Sequence, residues 1–335
     1  QIMFASSVHT AQAQGIPVPI AEETLATAFI MATPIAGNIG QMLANAGMSF
    51  GIANTLHGVF WWSSFLLTMG FAVYIPYSKH THIMASPLNV FFNSVKPRGE
   101  LIPIQNLETA ASFGAGKLTD LSWKELLDGF SCAVCGRCTD NCPANLTGKT
   151  LSPMHIVENI KENLVEVGPS IESARKEGKD PGELQLPSLI GDVITEEDLW
   201  SCVTCGACEQ ECPVNVEHID SIVDMRRNLV MEQAKLPDTA QQALLSMERR
   251  GHPWRGTTAS RTDWAEGLNI PIVSDLAEGD EIDVLFWVGC TAALETRSQG
   301  VAVSTAKLLQ KAGVKFAILG NAETCTGDPA RRIGN

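Results

Sequence analysis

Two short runs of cysteine share one spacing and are the residues best suited to chemistry in this chain. Each run reads C-x2-C-x2-C-x3-C-P. This is the spacing with which thiolates hold [4Fe–4S] clusters in bacterial ferredoxins. The first run ends at Pro143 and the second at Pro213. Their cysteines are Cys132, Cys135, Cys138 and Cys142, then Cys202, Cys205, Cys208 and Cys212.

The spacing also predicts which cysteines act together. Three thiolates on one tight loop can bind three irons of a cubane, whereas the fourth, followed by proline, ligates the other cluster. Gly136 and Gly206 lie inside the loops, where the backbone must bend closely around inorganic sulfide. The predicted sets are Cys132, Cys135, Cys138 and Cys212 for one cluster, and Cys202, Cys205, Cys208 and Cys142 for the other.

Zinc ribbons and disulfides are the alternatives for such cysteines. A zinc site usually takes its four ligands from two C-x2-C pairs, whereas each run here already has four cysteines. Disulfides between crowded C-x2-C triplets would leave thiols unpaired. Most of the 10 cysteines lie in the two runs. This usage indicates metal binding in a reducing compartment.

Length and charge bound the remaining possibilities. The chain has 335 residues, enough for two or three domains. Its net charge of −13 argues against a nucleic-acid partner and is compatible with a protein partner that carries a basic patch. No phosphate-binding or dinucleotide fingerprint is present, so NAD or ATP chemistry would need another subunit. The ends at Gln1 and Asn335 are expected to be those of a fragment of a longer chain.

The N-terminal region, residues 1–92, is predicted to be associated with a membrane. Residues 52–77 contain no Asp, Glu, Lys or Arg and are long enough to cross a bilayer. The alternative is a buried core helix of a soluble protein. Residues before it favour an interfacial helix or a connection beside the membrane. Cations follow the span before Glu100, which predicts that everything after it is cytoplasmic. They are Lys79, His80, His82, Lys96 and Arg98.

Two histidines of this region are candidate ligands of b-type haem. His57 lies inside the predicted span, where an ionisable residue is a functional candidate by default. Its partner histidine would come from helices outside this chain. His80, with His82, lies at the cytoplasmic end, where a haem edge or a quinone head group could bind. The alternatives are a structural hydrogen bond for His57 and interfacial anchoring for the other two.

Helices are predicted on both sides of each cysteine run. After a connector at 93–120, Ser122 and Glu125 form a capping box for the helix that leads into the first run. Further helices are expected from Pro153, over 196–200 and over 219–231, with a charged insert at 166–190. This pattern predicts an α-helical ferredoxin domain over 121–235, followed by a linker over 236–280.

The last part, residues 281–335, has the pattern of an α/β domain. A buried strand over 284–288, a helix over 304–312 ended by Gly313, and a strand over 315–319 make one β-α-β unit. Cys290 and Cys325 each lie just beyond a strand, at the edge where α/β folds build sites. They are candidates for a third site or cluster.

The order of these parts resembles a known family. The runs at 74–82 and 86–92 are similar to the last membrane helix of the nitrate-reductase-gamma-like cytochrome b module. In the resembling proteins this module is fused to a heterodisulfide-reductase-like iron–sulfur region. The two cysteine runs and the Cys290…Cys325-Thr-Gly-Asp-Pro-Ala-Arg-Arg pattern complete the match. The chain looks like the membrane Fe–S oxidoreductases proposed as electron-transfer-flavoprotein:menaquinone oxidoreductases.

Two positions depart from that family. Its cysteine-rich domain typically has Cys-Cys-Gly, but here Thr326 follows Cys325. One ligand of a noncanonical cluster is therefore absent, which disfavours heterodisulfide cleavage and leaves a conventional [4Fe–4S] cluster completed by cysteines beyond Asn335. Relatives often carry a histidine one or two turns after His57, where this chain has Trp61, Trp62, Ser63 and Ser64.

The resemblance implies a multidomain fold and a function. The fold is a transmembrane α-helical N-terminal part, an α-helical ferredoxin domain with two [4Fe–4S] clusters and the start of an α/β cysteine-rich domain. The function is a membrane-bound oxidoreductase of the cytoplasmic membrane. Electrons would pass from a soluble donor such as reduced electron-transfer flavoprotein through the clusters and b haem to menaquinone. The alternatives are a disulfide reductase and a non-catalytic electron-carrier or anchor subunit.

Overall fold

The structure is a computed structural model. It describes residues 45–335 except 98, 105, 106, 111, 255–258, 278 and 280, together with scattered positions before residue 45. The interfacial helix expected before residue 50 falls almost entirely outside the described residues. The chain divides into two compact units, Gln1–Met84 and Ala85–Asn335.

One long helix, α1 (Phe50–Tyr74), dominates the described part of the first unit. Ser49 caps its start by accepting a hydrogen bond from the Ile52 amide at 3.4 Å. The predicted span over 52–77 ends differently, because Pro76 lies in a 3₁₀ turn (Ile75–Tyr77). Of the described helices, only the stretch Phe50–Tyr77 is long and apolar enough to cross a membrane, and 0% of its most apolar window is buried.

The second unit starts within α2 (His82–Phe91) and contains two similar halves. The first half has α3 (Trp123–Ser131), α4 (Arg137–Asp140), α5 (Pro143–Leu146) and α6 (Pro153–Lys176). The second has α7 (Glu196–Ser201), α8 (Ala207–Gln210) and α9 (His218–Arg227). In each half, a helix enters a cysteine loop, a single turn follows it and a Cys-Pro step leads away.

Local sequence sets the helix that enters each loop. Ser122 Oγ accepts from the Glu125 amide at 3.3 Å and the Glu125 carboxylate accepts from the Ser122 amide at 2.7 Å. The capping box predicted for α3 is therefore confirmed. Thr195 caps α7 in the same place by accepting from the Asp198 amide at 3.2 Å.

Two helices differ from the predicted pattern. The insert expected over 166–190 begins as the last turns of α6, which continues through Pro169 to Lys176. Burial of Val167 and Ala174 on one face outweighs the hydrogen bond that the proline removes. The helix expected over 219–231 is α-helical only as far as Arg227. A π-helical turn (Asn228–Glu232) follows it.

The two halves share one hydrophobic core. Side chains from the connector, from the long α6, from α7 and from α9 all pack into it, so neither half encloses a core alone. Members that are almost fully buried include Leu118, Leu151, Ile160, Leu189, Leu199, Ile222 and Met225.

Residues 236–280, expected as a linker, are built into the fold. They contain α10 (Asp238–Arg250), which ends at Gly251 in the left-handed conformation. Trp264 is buried in the C-terminal core. Ile272 forms a parallel bridge with Ile318, and the Val273 amide donates to the Ile318 carbonyl at 2.9 Å. Apolar residues at these positions explain the packing, because burying them in the next core is favourable.

The C-terminal part contains the predicted β-α-β unit. Strand β1 (Val284–Leu285) pairs in parallel with β2 (Phe316–Ala317), and α11 (Cys290–Leu294) and α12 (Thr296–Lys311) connect them. The strands are shorter than predicted, and β1 is exposed where a buried strand was expected. The chain leaves the ladder because the amides of Val288 and Gly289 donate to the Glu323 carboxylate instead.

Asn89 links α2 to the ferredoxin part and provides a test of this packing. Its fully buried amide donates to the Asp128 carboxylate at 2.8 Å and to the carbonyls of Val214 and Asn215 at 3.0 and 3.2 Å. We expect Asn89→Leu to destabilise the unit by about 2 kcal/mol, because buried acceptors lose their donor. Urea unfolding followed by circular dichroism measures the change. The exposed Asn93→Leu is the control, and equal stability of both variants would contradict the role of Asn89.

Candidate iron–sulfur site

The two cysteine loops have the same unusual backbone. Gly136 and Gly206 adopt φ angles of 82° and 77°, as the sequence predicted for tight loops. Val134 and Thr204, at matching positions, have φ angles of 52° and 50°. A β-branched residue with positive φ is strained, and such strain is typical of functional sites. The same strained backbone conformation occurs in both halves, so it is a common feature of the two loops.

Backbone amides point at several of the cysteine sulfurs. The Val134 amide donates to Cys132 Sγ at 3.4 Å, and the Thr204 amide donates to Cys202 Sγ at 3.3 Å. The Val216 amide donates to Cys212 Sγ at 3.3 Å. Amide donors stabilise thiolates and tune the reduction potential of a cluster that thiolates hold. Val134 and Thr204, the residues with positive φ, are themselves the donors. Their strained conformation therefore directs an amide at a cysteine sulfur.

The structure brings Cys212 to the first loop. Burial, and then the nearby Cys212 and Cys135, raise the pKa of the Cys132 thiol. Burial raises the pKa of Cys138 to about 11, and Cys132 and Cys212 contribute in the same direction. A cysteine from the second run therefore lies among the three thiols of the first loop.

The second loop has the reciprocal arrangement. Burial raises the pKa of the Cys202 thiol, and Cys142 and Cys205 raise it further. A small cavity is lined by thiols from both runs, namely Cys142, Cys202, Cys205 and Cys208. The charge of Cys138 also reaches Cys208, so the two groups of cysteines are neighbours. Thiols of each predicted crossed set are therefore neighbours in space, and the assignment of ligands to each cluster stays a prediction.

The thiols are suited to bind iron and poorly suited to remain free thiolates. Burial also raises the pKa of Cys208, so the buried thiols Cys138 and Cys208 resist losing a proton without a cation beside them. A coordinated metal removes that proton. Among the described residues, no three His, Cys, Asp or Glu side chains lie close enough to share a single metal ion. A cubane does not require such convergence, because each thiolate binds a different iron. The residues present fit a [4Fe–4S] cluster in each group.

Cys290 and Cys325 also come together, in the C-terminal part. Burial raises the pKa of the Cys290 thiol, and the neighbouring Cys325 raises it further. Arg261 Nη2 donates to Cys290 Sγ at 3.2 Å, and Arg261 forms an ion pair with Glu323 at 3.0 Å. Glu323 is buried and also accepts from the amide of Gly289, directly before Cys290.

Sequence reasoning missed both Arg261 and Glu323. Glu323 lies two residues before Cys325, a proximity that could have suggested it. Arg261 lies in the stretch expected as a linker and gave no local signal. Their buried ion pair fixes the loop before Cys290, because breaking one partner would leave an uncompensated charge.

The candidate haem histidines lie apart. His57 is on α1, and His80 is in a 3₁₀ turn (Lys79–Thr81) after it. A rise of 1.5 Å per residue puts roughly 25 Å between His57 and the end of α1. The rings of His80 and His82 lie 6.4 Å apart. The structure does not bring His57 and His80 onto one haem, so each would need an axial partner from elsewhere.

His218 gives the ferredoxin part a defined response to pH. It is buried beside the Val216 carbonyl, and burial lowers its pKa to about 4, so it is neutral when folded. The unfolded chain binds a proton near pH 6.5, so stability should fall below that pH by about 1.4 kcal/mol per pH unit until about 4. We expect His218→Gln to lose this part of the pH dependence. Urea unfolding of both proteins at pH 7.5 and 5.5 measures it, and identical pH responses would refute it.

Single cysteine replacements test the crossed sets. We expect Cys212→Ser to damage the cluster of the first loop and Cys142→Ser that of the second, because each serine replaces the ligand supplied by the opposite run. Iron analysis and electron paramagnetic resonance of the reduced proteins measure which cluster remains. Cys290→Ser is the control and should keep both signals. Damage to the cluster of the same run would reverse the assignment.

Comparison with known proteins identifies two domain families in this chain. Residues 131–217 match the 4Fe-4S dicluster domain family, and residues 284–335 match the cysteine-rich domain family. No solved structure matches the chain.

Three curated relatives are similar over most of the chain. The probable iron–sulfur-binding oxidoreductase FadF of Bacillus subtilis is 43% identical over 90% of this chain and 47% of its own length. The EtfAB:quinone oxidoreductase of Syntrophomonas wolfei is 36% identical over 90% of this chain and 44% of its own length. A probable membrane-anchored ferredoxin of Chromohalobacter salexigens is 33% identical over 67% of this chain and 34% of its own length.

The chain spans about half the length of the first two relatives, at 47% and 44%. Its dicluster domain and its cysteine-rich domain occur in the order that the sequence predicted. The protein is an iron–sulfur protein homologous to these oxidoreductases.

Proposed function

We propose that this protein is a membrane-bound oxidoreductase that passes electrons from reduced electron-transfer flavoprotein, through two [4Fe–4S] clusters and b haem, to menaquinone. The observation that carries the proposal is the crossed grouping of the eight cysteines into two neighbouring sets. In this proposal one cluster is held by Cys132, Cys135, Cys138 and Cys212, and the other by Cys202, Cys205, Cys208 and Cys142. The printed name of the Syntrophomonas wolfei relative supports the choice of donor and acceptor class.

The exposure of the cysteines supports a role in electron transfer. Cys135 and Cys205 are exposed, whereas Cys138 and Cys208 are buried and belong to one apolar cluster. Each cluster would therefore have one edge at the surface, where a partner can exchange electrons, and one edge towards the other cluster. The bound clusters would supply one-electron carriers, and the chain supplies their spacing and their surroundings.

The C-terminal part contacts the second loop. Arg332, on α13 (Asp328–Ile333), donates to the Val203 carbonyl at 3.2 Å and to Thr204 Oγ1 at 3.4 Å. Because α13 follows Cys325 directly, the Cys290–Cys325 pair is connected to the loop of Cys202, Cys205 and Cys208 by a short helix. This supports placing a third redox centre next in line to the second cluster.

The face beside Cys205 is suited to a basic partner. A cavity of about 610 Å³ reaches Cys205 and is lined by four carboxylates, Glu100, Glu209, Glu217 and Asp220, against the cations Lys96 and Arg332. Burial and the neighbouring Glu209 and Glu217 raise the pKa of Asp220 to about 7. Complementary charge steers partners to a docking face. We place the flavoprotein contact here.

The membrane end of the proposal depends on α1. Its aromatic and aliphatic side chains are exposed on all sides, including Trp61, Trp62, Phe65 and Leu67. A helix that is apolar all round needs an apolar environment, and its length suits a bilayer. Lys79 directly after it favours the cytoplasm for the parts that follow. In this proposal His57 and His80 are ligands of b haem, with partner histidines from outside this chain.

A disulfide reductase is the second candidate, because the structure brings the Cys290 and Cys325 thiols together. Turnover of a disulfide substrate by the full-length protein would favour it. A non-catalytic carrier or anchor subunit would show neither disulfide reduction nor quinone reduction by the isolated full-length protein.

The variant Cys205→Ser tests the proposed route. In the wild type we expect a sharp b-type haem band in the dithionite-reduced minus air-oxidised spectrum, and reduction of that haem by reduced flavoprotein. The variant should keep the haem band with dithionite but lose its reduction by the flavoprotein, because the connecting cluster is interrupted. Unchanged haem reduction in the variant would refute the linear route. A broad iron–sulfur bleach without haem in the wild type would refute the haem step.

A further inference from the structure

Arg226 is a buried cation directly behind the second cysteine loop. Only 3% of this residue, which lies on α9, is exposed. Its Nε donates to the Leu199 carbonyl at 3.0 Å, its Nη2 to the Cys202 carbonyl at 2.5 Å and its Nη1 to the Arg332 carbonyl at 2.7 Å. The guanidinium carbon lies 5.3 Å from the centre of the Trp200 ring. Every polar partner is a neutral carbonyl group.

Within the part of the chain that the structure describes, no carboxylate forms an ion pair with Arg226. The ion pairs found among the described residues all join other side chains. A buried charge without a counter-ion is costly, and buried charges in proteins are as a rule paired. The group whose charge reaches Arg226 is the Cys202 sulfur. This sulfur is neutral as a thiol and becomes negative when it binds iron.

We propose that Arg226 is the counter-charge of the cluster held by Cys142, Cys202, Cys205 and Cys208, and that it raises the reduction potential of this cluster above that of the other. The inference rests on the proposed ligation and not on the identity of donor or acceptor. A positive charge favours the reduced state because reduction adds one negative charge to the cluster.

The first loop has a weaker counterpart. Lys161 is in electrostatic range of Cys132, but it is half-buried, so water screens it. The negative charge of Glu209 reaches Cys208 and therefore acts on the second cluster in the direction opposite to Arg226. Glu209 also lines the cavity that opens to solvent beside Cys205. The charge of Arg226 acts through a buried, low-dielectric environment, where electrostatic interactions are stronger. The two clusters therefore differ in potential, and the electron is held on the second.

The cysteine-rich part covers Arg226. The Arg332 carbonyl accepts from Nη1, and a Cβ on Gly334 would lie 2.6 Å from the Arg227 amide. This close approach keeps water away from the guanidinium. The C-terminal part thus contributes to the electrostatic environment of a cluster to which it supplies no ligand.

Redox titration of both clusters, followed by electron paramagnetic resonance in the full-length protein, tests the proposal. We expect Arg226→Gln, which keeps hydrogen-bond donors but removes the charge, to disfavour reduction of the second cluster about tenfold, or 59 mV for one electron. Arg226→Lys keeps the charge and should change the reduction equilibrium of the second cluster by less than about threefold. Arg227→Gln is the control, because Arg227 pairs with Asp224 at 2.5 Å, and both potentials should stay unchanged.

Assignment of the shifted signal uses Cys142→Ser. With the second cluster disrupted by this change, adding Arg226→Gln should leave the potential of the remaining cluster unchanged. No shift in Arg226→Gln, or an equal shift of both clusters, would overturn the proposal.

Loss of the second cluster in Arg226→Gln but not in Arg226→Lys would support the need for the charge. Its loss in both variants would assign Arg226 a purely structural role and overturn the proposal. At least about eight non-haem irons per wild-type chain are expected, because each of the two clusters holds four irons. A lower value would refute the ligation itself, independently of Arg226.

Discussion

A thiol from the other half of the ferredoxin part lies beside each cysteine loop, and much of the second unit depends on this proximity. Cys212 lies with the first loop and Cys142 with the second. The halves must therefore pack face to face, and their shared core of Leu151, Ile160 and Ile222 does so. A packing error would separate thiols from both groups at once. Binding of iron would stabilise the same arrangement, because metal binding and folding are coupled.

Buried polar side chains around the loops hold the loop backbone in place through hydrogen bonds. Asn89 and Asp128 hold the turn after Cys212, and Arg226 holds the turn that begins at Cys202. Glu323 and Arg261 do the same for Cys290. These side chains are buried and satisfy backbone groups that the loops leave without partners. Burying these polar groups costs free energy. In return, their hydrogen bonds fix one conformation of each loop.

Direct contacts also hold the C-terminal part against the ferredoxin part. Its last helix contacts the second loop through Arg332, while residues of the supposed linker complete its sheet and core. The cysteine-rich part is thus packed against the ferredoxin part and not joined to it by a free tether.

Spacing along the chain was enough to predict the cluster type, the crossed grouping of thiols, the capping box of α3 and the order of the β-α-β unit. These depend on spacing over a few residues or on one repeated motif. The length of α6, the short exposed β1 and the packing of residues 236–280 became visible in the folded chain alone. It also revealed Arg226, Arg261 and Glu323, whose partners are distant in the sequence. Their roles arise from burial and long-range contact, which local sequence patterns do not encode.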